Sequence, residues 1–485
     1  MDGRPKAEIR LLKSAHSLRL ARPGERKCMM SLVKEKSFYR WFFYLTFSVA
    51  LRNMIVFMVN LADSVMLGQY SEQALSGVAL VNQIQFVLQL MVTGICEGGQ
   101  IFISRAWGQR DRATMQRTAN IAMKLALLIA CLVAAAAAVF PSQILSLLSA
   151  EPSFVREGCG YLKIIVVTYP IFAITTSLIV DMNSVETVKL GFYTSFITLV
   201  TNVFLNYCFI YGHLGFPEMG APGAAVATTV SRILECAAVI WYVRFRDQKL
   251  KLRSSHFGRM DRSLFIAYMK KGVPVFLSSA LWGIAMSIQL GILGRLGASA
   301  ITANSIANTL FQMITVLVYA SASAAAVMIS KTIGEGRRDL VRPYTQTMQL
   351  LFLGIGIFTG LCLFLLRRPI LQFYHVSAES AVMALQFMTV LSITVMGTAY
   401  QVPCLTGILR GGGDTAFVFK NDLIFMWCLV IPCSMVVAFC LKADPVWVFF
   451  CLKSDQIIKC AVAVVKIQKY NWIRHTGVEP DMPCD

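Results

Sequence analysis

The apolar residues of this chain run in long blocks separated by short polar segments, many of them basic. Four blocks contain no charged residue at all: Gly272 to Gly294, Ala300 to Ser330, Ala381 to Leu409 and Leu423 to Leu441. A helix needs roughly 20 mostly apolar residues to cross the bilayer hydrocarbon, so each block is long enough to span. Weaker blocks at Phe42 to Leu67, Val78 to Ile103, Met115 to Phe140, Ile164 to Val180, Leu190 to Gly212, Pro222 to Val243, Leu350 to Leu366 and Val446 to Val465 extend the pattern. Together they predict about twelve spans by the same length rule. An isolated strand leaves its backbone unsatisfied in lipid, so the expected fold is all-α and polytopic.

Composition agrees. Of 485 residues, 56% are hydrophobic and only 15% charged, and the mean hydropathy is +0.62; a water-soluble chain of this size would not show that balance. The net charge of +19 could point to nucleic acid, but its placement excludes that reading. Lys and Arg gather in the tail from Arg4 to Arg40, at Arg105, Arg110, Arg112 and Arg117, from Arg244 to Lys271, and at Lys331, Arg337, Arg338 and Arg342. The intervening loops carry few, such as Arg156, Arg295, Arg367, Arg368 and Lys442. By the positive-inside rule both tails and the loops after even-numbered spans are cytoplasmic. The basic tail is expected to be solvated, with contact to anionic lipid as the alternative.

The first forty residues lack the apolar core of a signal peptide, so no cleaved leader is expected. Most of the 14 cysteines fall within spans, as small packing residues rather than a disulfide framework. The five histidines, His16, His213, His256, His375 and His475, have no Cys or His at ligand spacing, and no metal or cofactor site is expected. A membrane-embedded enzyme is disfavoured as well: the chain has no paired-His helix motif, nucleophile elbow or phosphate-binding loop.

The chain repeats itself. "ISRAWGQRD" after the second span answers "ISKTIGEGRRD" after the eighth, with Ile103, Ser104, Arg105 and Gly108 each 226 residues before Ile329, Ser330, Lys331 and Gly334. The register continues through Leu67 and Leu293, Gly68 and Gly294, Ala74 and Ala300, and Asn82 and Asn308. Six spans separate equivalent points, so two halves of like orientation are expected, related by an axis along the membrane normal. The predicted organisation is a basic tail (1–37), an amino lobe of six spans (38–245), a basic linker (246–270), a carboxyl lobe of six spans (271–467) and a second tail (468–485). Such repeats are typical of secondary transporters, whose sites lie near mid-membrane between or within the lobes.

Within this frame Asp63 stands out, a carboxylate in the apolar first span. It either snorkels to the nearby outer surface or faces a cavity or ion path. In the second case a proton and a cation compete for it. Asn60 and Arg52 lie three and eleven residues before it, near the same helix face. Thr198, Asn202 and Asn206 form a stripe on span five, readable as interhelical hydrogen bonding or as a polar site. Glu97, beside Gly98 and Gly99, either faces the cavity and a cationic substrate or pairs with Arg52. Trp282 and Gln289 are candidate aromatic and polar substrate contacts, with core or lipid-facing packing as the alternative.

"NLADSVMLGQYSEQALSGVAL", "ISRAWGQRDRATMQ", "LVTNVFLNYCFIYG" with "GAAVATTVSR", "ALWGIAMSIQLGILGRLGASAITA" and "LRGGGDT" together resemble the multidrug and toxic compound extrusion (MATE) family, from about Phe38 to Trp472. The resemblance implies twelve helices in two six-helix lobes around a V-shaped cavity, acting as a monomer in the cytoplasmic membrane of a bacterium. It implies export of small organic cations or other amphipathic drugs in exchange for H+ or Na+. The family's amino-lobe cation site maps to Asp63, Asn202, Asn206 and Thr228, with an amide at Asn206 where relatives carry a second acid. That amide still offers an oxygen to sodium but cannot titrate. In the carboxyl lobe, Ser279 stands where relatives often have an acid, and the tenth span has none, so no ion site is expected there. Ser48 likewise replaces a proline frequent in the first helix. A lipid-linked precursor flippase of the same superfamily is the alternative; it would carry a more cationic cavity, whereas Arg52 is the main basic residue expected within these spans.

Overall fold

The computed structural model describes residues 32–148, 151–252, 261–372, 374 and 376–474. The expectations for most of the amino-terminal tail, the middle of the 246–270 linker, and His16, His256, His375 and His475 fall outside the described residues. Among the described residues the long helical segments follow in order: α1 Lys36–Tyr70, α2 Glu72–Gln109, α3 Arg112–Val139, α4 in two pieces (Pro152–Ile165 and Thr168–Ser184), α5 Lys189–Tyr211, α6 Ala221–Phe245, α7 Arg262–Gly294, α8 Ala298–Gly334, α9 Arg338–Leu371, α10 Ala378–Leu409, α11 Thr415–Cys440, and α12 in two pieces (Pro445–Leu452 and Asp455–Gln468); ten of them are long and apolar enough to cross a membrane, eleven with the bent α4, and the two short pieces of α12 stand where a twelfth is expected.

The pattern located the spans but not their ends. At 38 residues, α2 is about 57 Å long against a hydrocarbon layer of about 30 Å, so its last turns leave the bilayer. Those turns carry the basic motif around Arg105. Side chains start several helices: Asp111 accepts from the Thr114 N–H at 3.1 Å before α3, and Asp261 from the Ser263 N–H at 3.0 Å before α7, as expected of N-caps. Span four begins at Pro152, earlier than the apolar block suggested, and bends by 55°. Its first piece carries Arg156, Glu157 and Lys163 among its apolar residues, and hydropathy alone passed over it. Both α10 and α11 include wide π-helical turns, over Pro403–Leu409, Leu423–Val430 and Val436–Cys440; prolines, which lack an N–H, sit in or between these stretches.

The halves meet as the repeat requires. Residues 226 apart place α1 beside α8 and α7 beside α2 as equivalent contacts, and the early turns of α1 (Phe38, Phe42, Leu45, Val49) join a core with Met328, Phe352 and Leu405 of the second half. Where α2 and α8 approach each other, the paired glycines touch backbone. A Cβ on Gly108 would come within 2.3 Å of the Lys331 carbonyl oxygen, and one on Gly334 within 2.1 Å of that of Arg105. The neighbouring repeat positions reach across as well. Arg105 donates to the carbonyls of Arg474 (2.8 Å) and Gly412 (3.2 Å), and Lys331 pairs with Glu186 at 2.7 Å. The end of the molecule bearing these basic motifs is thus tied shut between lobes.

Gly108→Ala or Gly334→Ala should destabilise the protein by about 1–3 kcal/mol through overpacking against backbone. Gly354→Ala, where a Cβ meets nothing within 4 Å, is the control expected to be neutral. Thermal unfolding in detergent measures all three, and equal midpoints would refute the tight approach of α2 and α8.

Candidate functional site

Asp63 is brought into a polar cluster by α5 and α6. Asn206 Nδ2 donates to Asp63 Oδ1 at 2.5 Å and to Asn202 Oδ1 at 3.2 Å, and Asn202 Nδ2 donates to Thr228 Oγ1 at 3.2 Å. The two asparagines are fully buried and four residues apart, so consecutive turns of α5 present them on one face. Because one amide nitrogen serves both partners, Asn206 Oδ1 is left buried with no hydrogen bond. A buried oxygen without a donor is costly, and here it lies within the same amide that touches a carboxylate. Asp63, Asn206 and Thr228 together offer only hard oxygen ligands, a set suited to a proton or an alkali cation rather than a soft metal.

Two further spacing expectations resolve differently. Asn60 is exposed and lies outside the cluster: three residues fall about 60° short of a full turn, enough to swing its side chain away. It contributes its backbone carbonyl, which accepts from Ser64 Oγ at 2.9 Å. Arg52 does share the α5-facing side of α1, packed on Gly191, where a Cβ would meet Arg52 Cδ at 2.7 Å. Eleven residues of rise, about 16 Å, nevertheless separate it from Asp63. Its Nε is buried without a hydrogen bond, and Glu235 is the carboxylate whose field it feels.

Glu97 does not pair with Arg52. Its Oε2 accepts from Arg410 Nη1 at 3.0 Å, joining α2 to α10 across the lobes. The glycine beside it brings α2 close to another helix, α7, since a Cβ on Gly98 would come within 2.9 Å of Gly272 Cα. Trp282 is partly exposed beside Phe86 of α2, ring centroids 6.4 Å apart. Gln289 is instead buried: its amide nitrogen faces Met426 Sδ at 3.3 Å and its oxygen accepts from Lys453 Nζ at 3.3 Å.

The spans also hold charges that sequence reasoning passed over, correcting the expectation that Arg52 is the main basic residue within them. Arg232 of α6 pairs with Glu235 at 2.9 Å, lies over the Phe172 ring, and is the cation whose field reaches Asp63. In α12, Lys459 sits between Asp422 (3.1 Å) and Asp455 (3.2 Å). Asp181 of α4 is fully buried, near Cys96 and Tyr268. The signal for α12 was present in "LKSDQIIKC", where Asp455 and Lys459 stand at the four-residue spacing of a helical ion pair.

Glu97→Gln should cost about 1 kcal/mol, less than a fully buried pair because Glu97 is partly exposed. The double variant Glu97→Gln/Arg410→Gln should recover most of that loss in the same thermal assay. A single variant as stable as the wild type would show the pair to be idle.

A family profile described as MatE matches residues 49–208 and 274–466. The chain is 24% identical over 388 residues to a probable multidrug resistance protein NorM of Thermotoga maritima, covering 79% of this chain and 82% of the relative. It is 22% identical over 438 residues to a probable multidrug resistance protein NorM of Listeria innocua, covering 89% and 94%. A crystal structure of the Vibrio cholerae MATE transporter VcmN shares the fold with a TM-score of 0.82 at 17% identity, covering 91% of this chain and 99% of that one.

Proposed function

This chain belongs to the MatE family, and from that premise we propose that it is a secondary antiporter exporting organic cations and other amphipathic drugs in exchange for H+ or Na+. The observation that carries the coupling is the orphaned Asn206 Oδ1 beside Asp63. That oxygen serves either ion. It would accept the O–H of a protonated Asp63, or join the carboxylate and Thr228 Oγ1 around sodium, which prefers oxygen ligands. Either ion neutralises Asp63, alters what α5 donates to α1, and so changes how the two helices hold together.

Alternating access then consists of the lobes at 38–245 and 271–467 rocking about the α2–α8 approach, with both termini on the cytoplasmic side. The ties of Arg105 and Lys331 close the cytoplasmic end in the state described here, and their release opens it. Drug export stands ahead of lipid-linked flipping because three cations within the spans are already held by carboxylates: Arg410 by Glu97, Arg232 by Glu235, and Lys459 by Asp422 and Asp455. Their pairing leaves these three with no free charge for a pyrophosphate.

Drug-sensitive cells expressing the protein should expel a fluorescent organic cation under an imposed proton or sodium gradient. Asp63→Asn should abolish the gradient dependence, and Asn206→Leu should lower gradient-driven efflux by roughly tenfold, equivalent to about 1.4 kcal/mol. Normal coupled efflux by Asp63→Asn would make the carboxylate structural. A wild type that moves no cation under either gradient would transfer the question to lipid-linked cargo.

A further inference from the structure

We propose that the basic end of α1 is a binding site for the phosphate-bearing headgroup of an anionic phospholipid. The bound phosphate competes with Glu186 for Lys331 and so loosens one of the ties between the lobes.

A recess of about 620 Å³ opens along Lys36, Ser37, Arg40, Trp41 and Tyr44. These positions fall one, four, five and eight residues after the first, a single stripe of the helix. The opposite stripe, Phe38, Phe42 and Leu45, is buried in the core shared with the second half, so the recess stands on a fixed wall. Lys36 and Arg40 are exposed, and among the described residues neither meets a carboxylate within 4 Å. The Trp41 Nε1–H and the Tyr44 O–H likewise donate to no group of the described residues. Lys189 of α5 adds a third cation, 5.8 Å from the centroid of the Tyr44 ring. Two acids stand nearby: Glu35, which accepts from Ser37 Oγ at 3.3 Å, and Glu186, whose field reaches Tyr44. Cations with uncommitted N–H and O–H donors are the complement of a phosphate. The same face of α1 continues inward as Phe47 and Leu51, 54% and 51% exposed, with Phe43 stacked on Phe47 at 6.0 Å. The helix thus presents cations, then amphipathic rings, then apolar side chains, the order in which a phospholipid presents phosphate, glycerol and acyl chains. That order selects a lipid over a soluble phosphate.

Trp41 connects this recess to the tie between the lobes. Lys331 Nζ lies 4.6 Å from the centroid of the Trp41 ring while it pairs with Glu186 Oε1 at 2.7 Å. Glu186 is fixed in place: its backbone is left-handed, with φ of 60°, and its Oε2 accepts from Trp107 Nε1 at 3.4 Å. A phosphate held by Arg40 beside the same indole puts a second anion next to one ammonium. It attracts Lys331 and repels Glu186, and both effects weaken the pair. Binding and release are therefore coupled in both directions: lipid favours the state in which Lys331 has left Glu186, and whatever frees Lys331 strengthens the hold on lipid. The recess lies at the end of the molecule read as cytoplasmic, where the leaflet carries anionic headgroups.

The test is native mass spectrometry of the purified full-length protein in detergent, titrated with dioleoylphosphatidylglycerol. Arg40→Gln and Lys36→Gln should each weaken binding roughly fivefold, the worth of about one basic residue against an anionic headgroup. Arg112→Gln removes an exposed charge at the start of α3, outside the recess, and should change binding less than about twofold. Equal losses in all three variants, or equal affinity for dioleoylphosphatidylcholine, whose headgroup has no net charge, overturn the site. Displacement of the lipid by glycerol phosphate at equal concentration overturns the lipid assignment in favour of a soluble phosphate. Glu186→Gln should tighten binding several-fold, because Lys331 is then free to turn to the phosphate, and Lys331→Gln should weaken it, deciding the same point from the other partner. Wild-type affinity in both overturns the competition. Binding is read without transport, so each of these failures leaves the exporter reading in place, and a failure of efflux leaves the lipid site.

Discussion

A charge placed at hydrocarbon depth must find a partner, and most of the interior of this protein is arranged around that demand. Several kcal/mol of desolvation attend each unpaired ion, so the buried ions are gathered in short chains. Arg232 stands with Glu235, Arg410 with Glu97, and Lys459 between two aspartates. The last two also tie helices together, Arg410–Glu97 joining α10 to α2 and Lys459–Asp422 joining α12 to α11. Electrostatic satisfaction and tertiary connectivity are the same contacts. Asp63 and Asp181 depart from this pattern: Asp63 meets the Asn206 amide rather than a cation in direct pairing, and Asp181 is buried with one carboxylate oxygen lacking a hydrogen bond.

The second constraint is symmetry. Arg105 and Lys331, at equivalent positions of the repeat, play matched parts, each reaching from its own half into the other. Gly108 and Gly334 make the approach close enough for those reaches to succeed.

The fold was largely legible in the residues. Blocks of apolar sequence long enough to span, basic segments at alternate ends, and a 226-residue register carry the helix count, because in lipid a helix is the economical way to satisfy backbone. The Asp63, Asn202, Asn206 and Thr228 grouping was legible through motif resemblance, and its hydrogen bonds follow from α5 presenting every fourth residue to α1 and α6. Asn60 was misplaced because a three-residue step is not a full turn. For Gln289 the sequence leaves a substrate contact and core packing both open; nothing in its own span reveals that Lys453, 164 residues later, arrives to claim its oxygen.

What the sequence by itself determined is therefore the class of structure, the repeat, and the chemistry each span brings. Local pattern governs these, since hydropathy and helical period act within a single segment. Tertiary structure alone decided the partnerships: that Glu97 meets Arg410 instead of Arg52, that Asn206 keeps an oxygen unsatisfied, and that Lys459 divides itself between Asp455 in its own helix and Asp422 in another. Pairing energies between distant residues depend on which helices become neighbours, and that is set by the packing of the whole bundle.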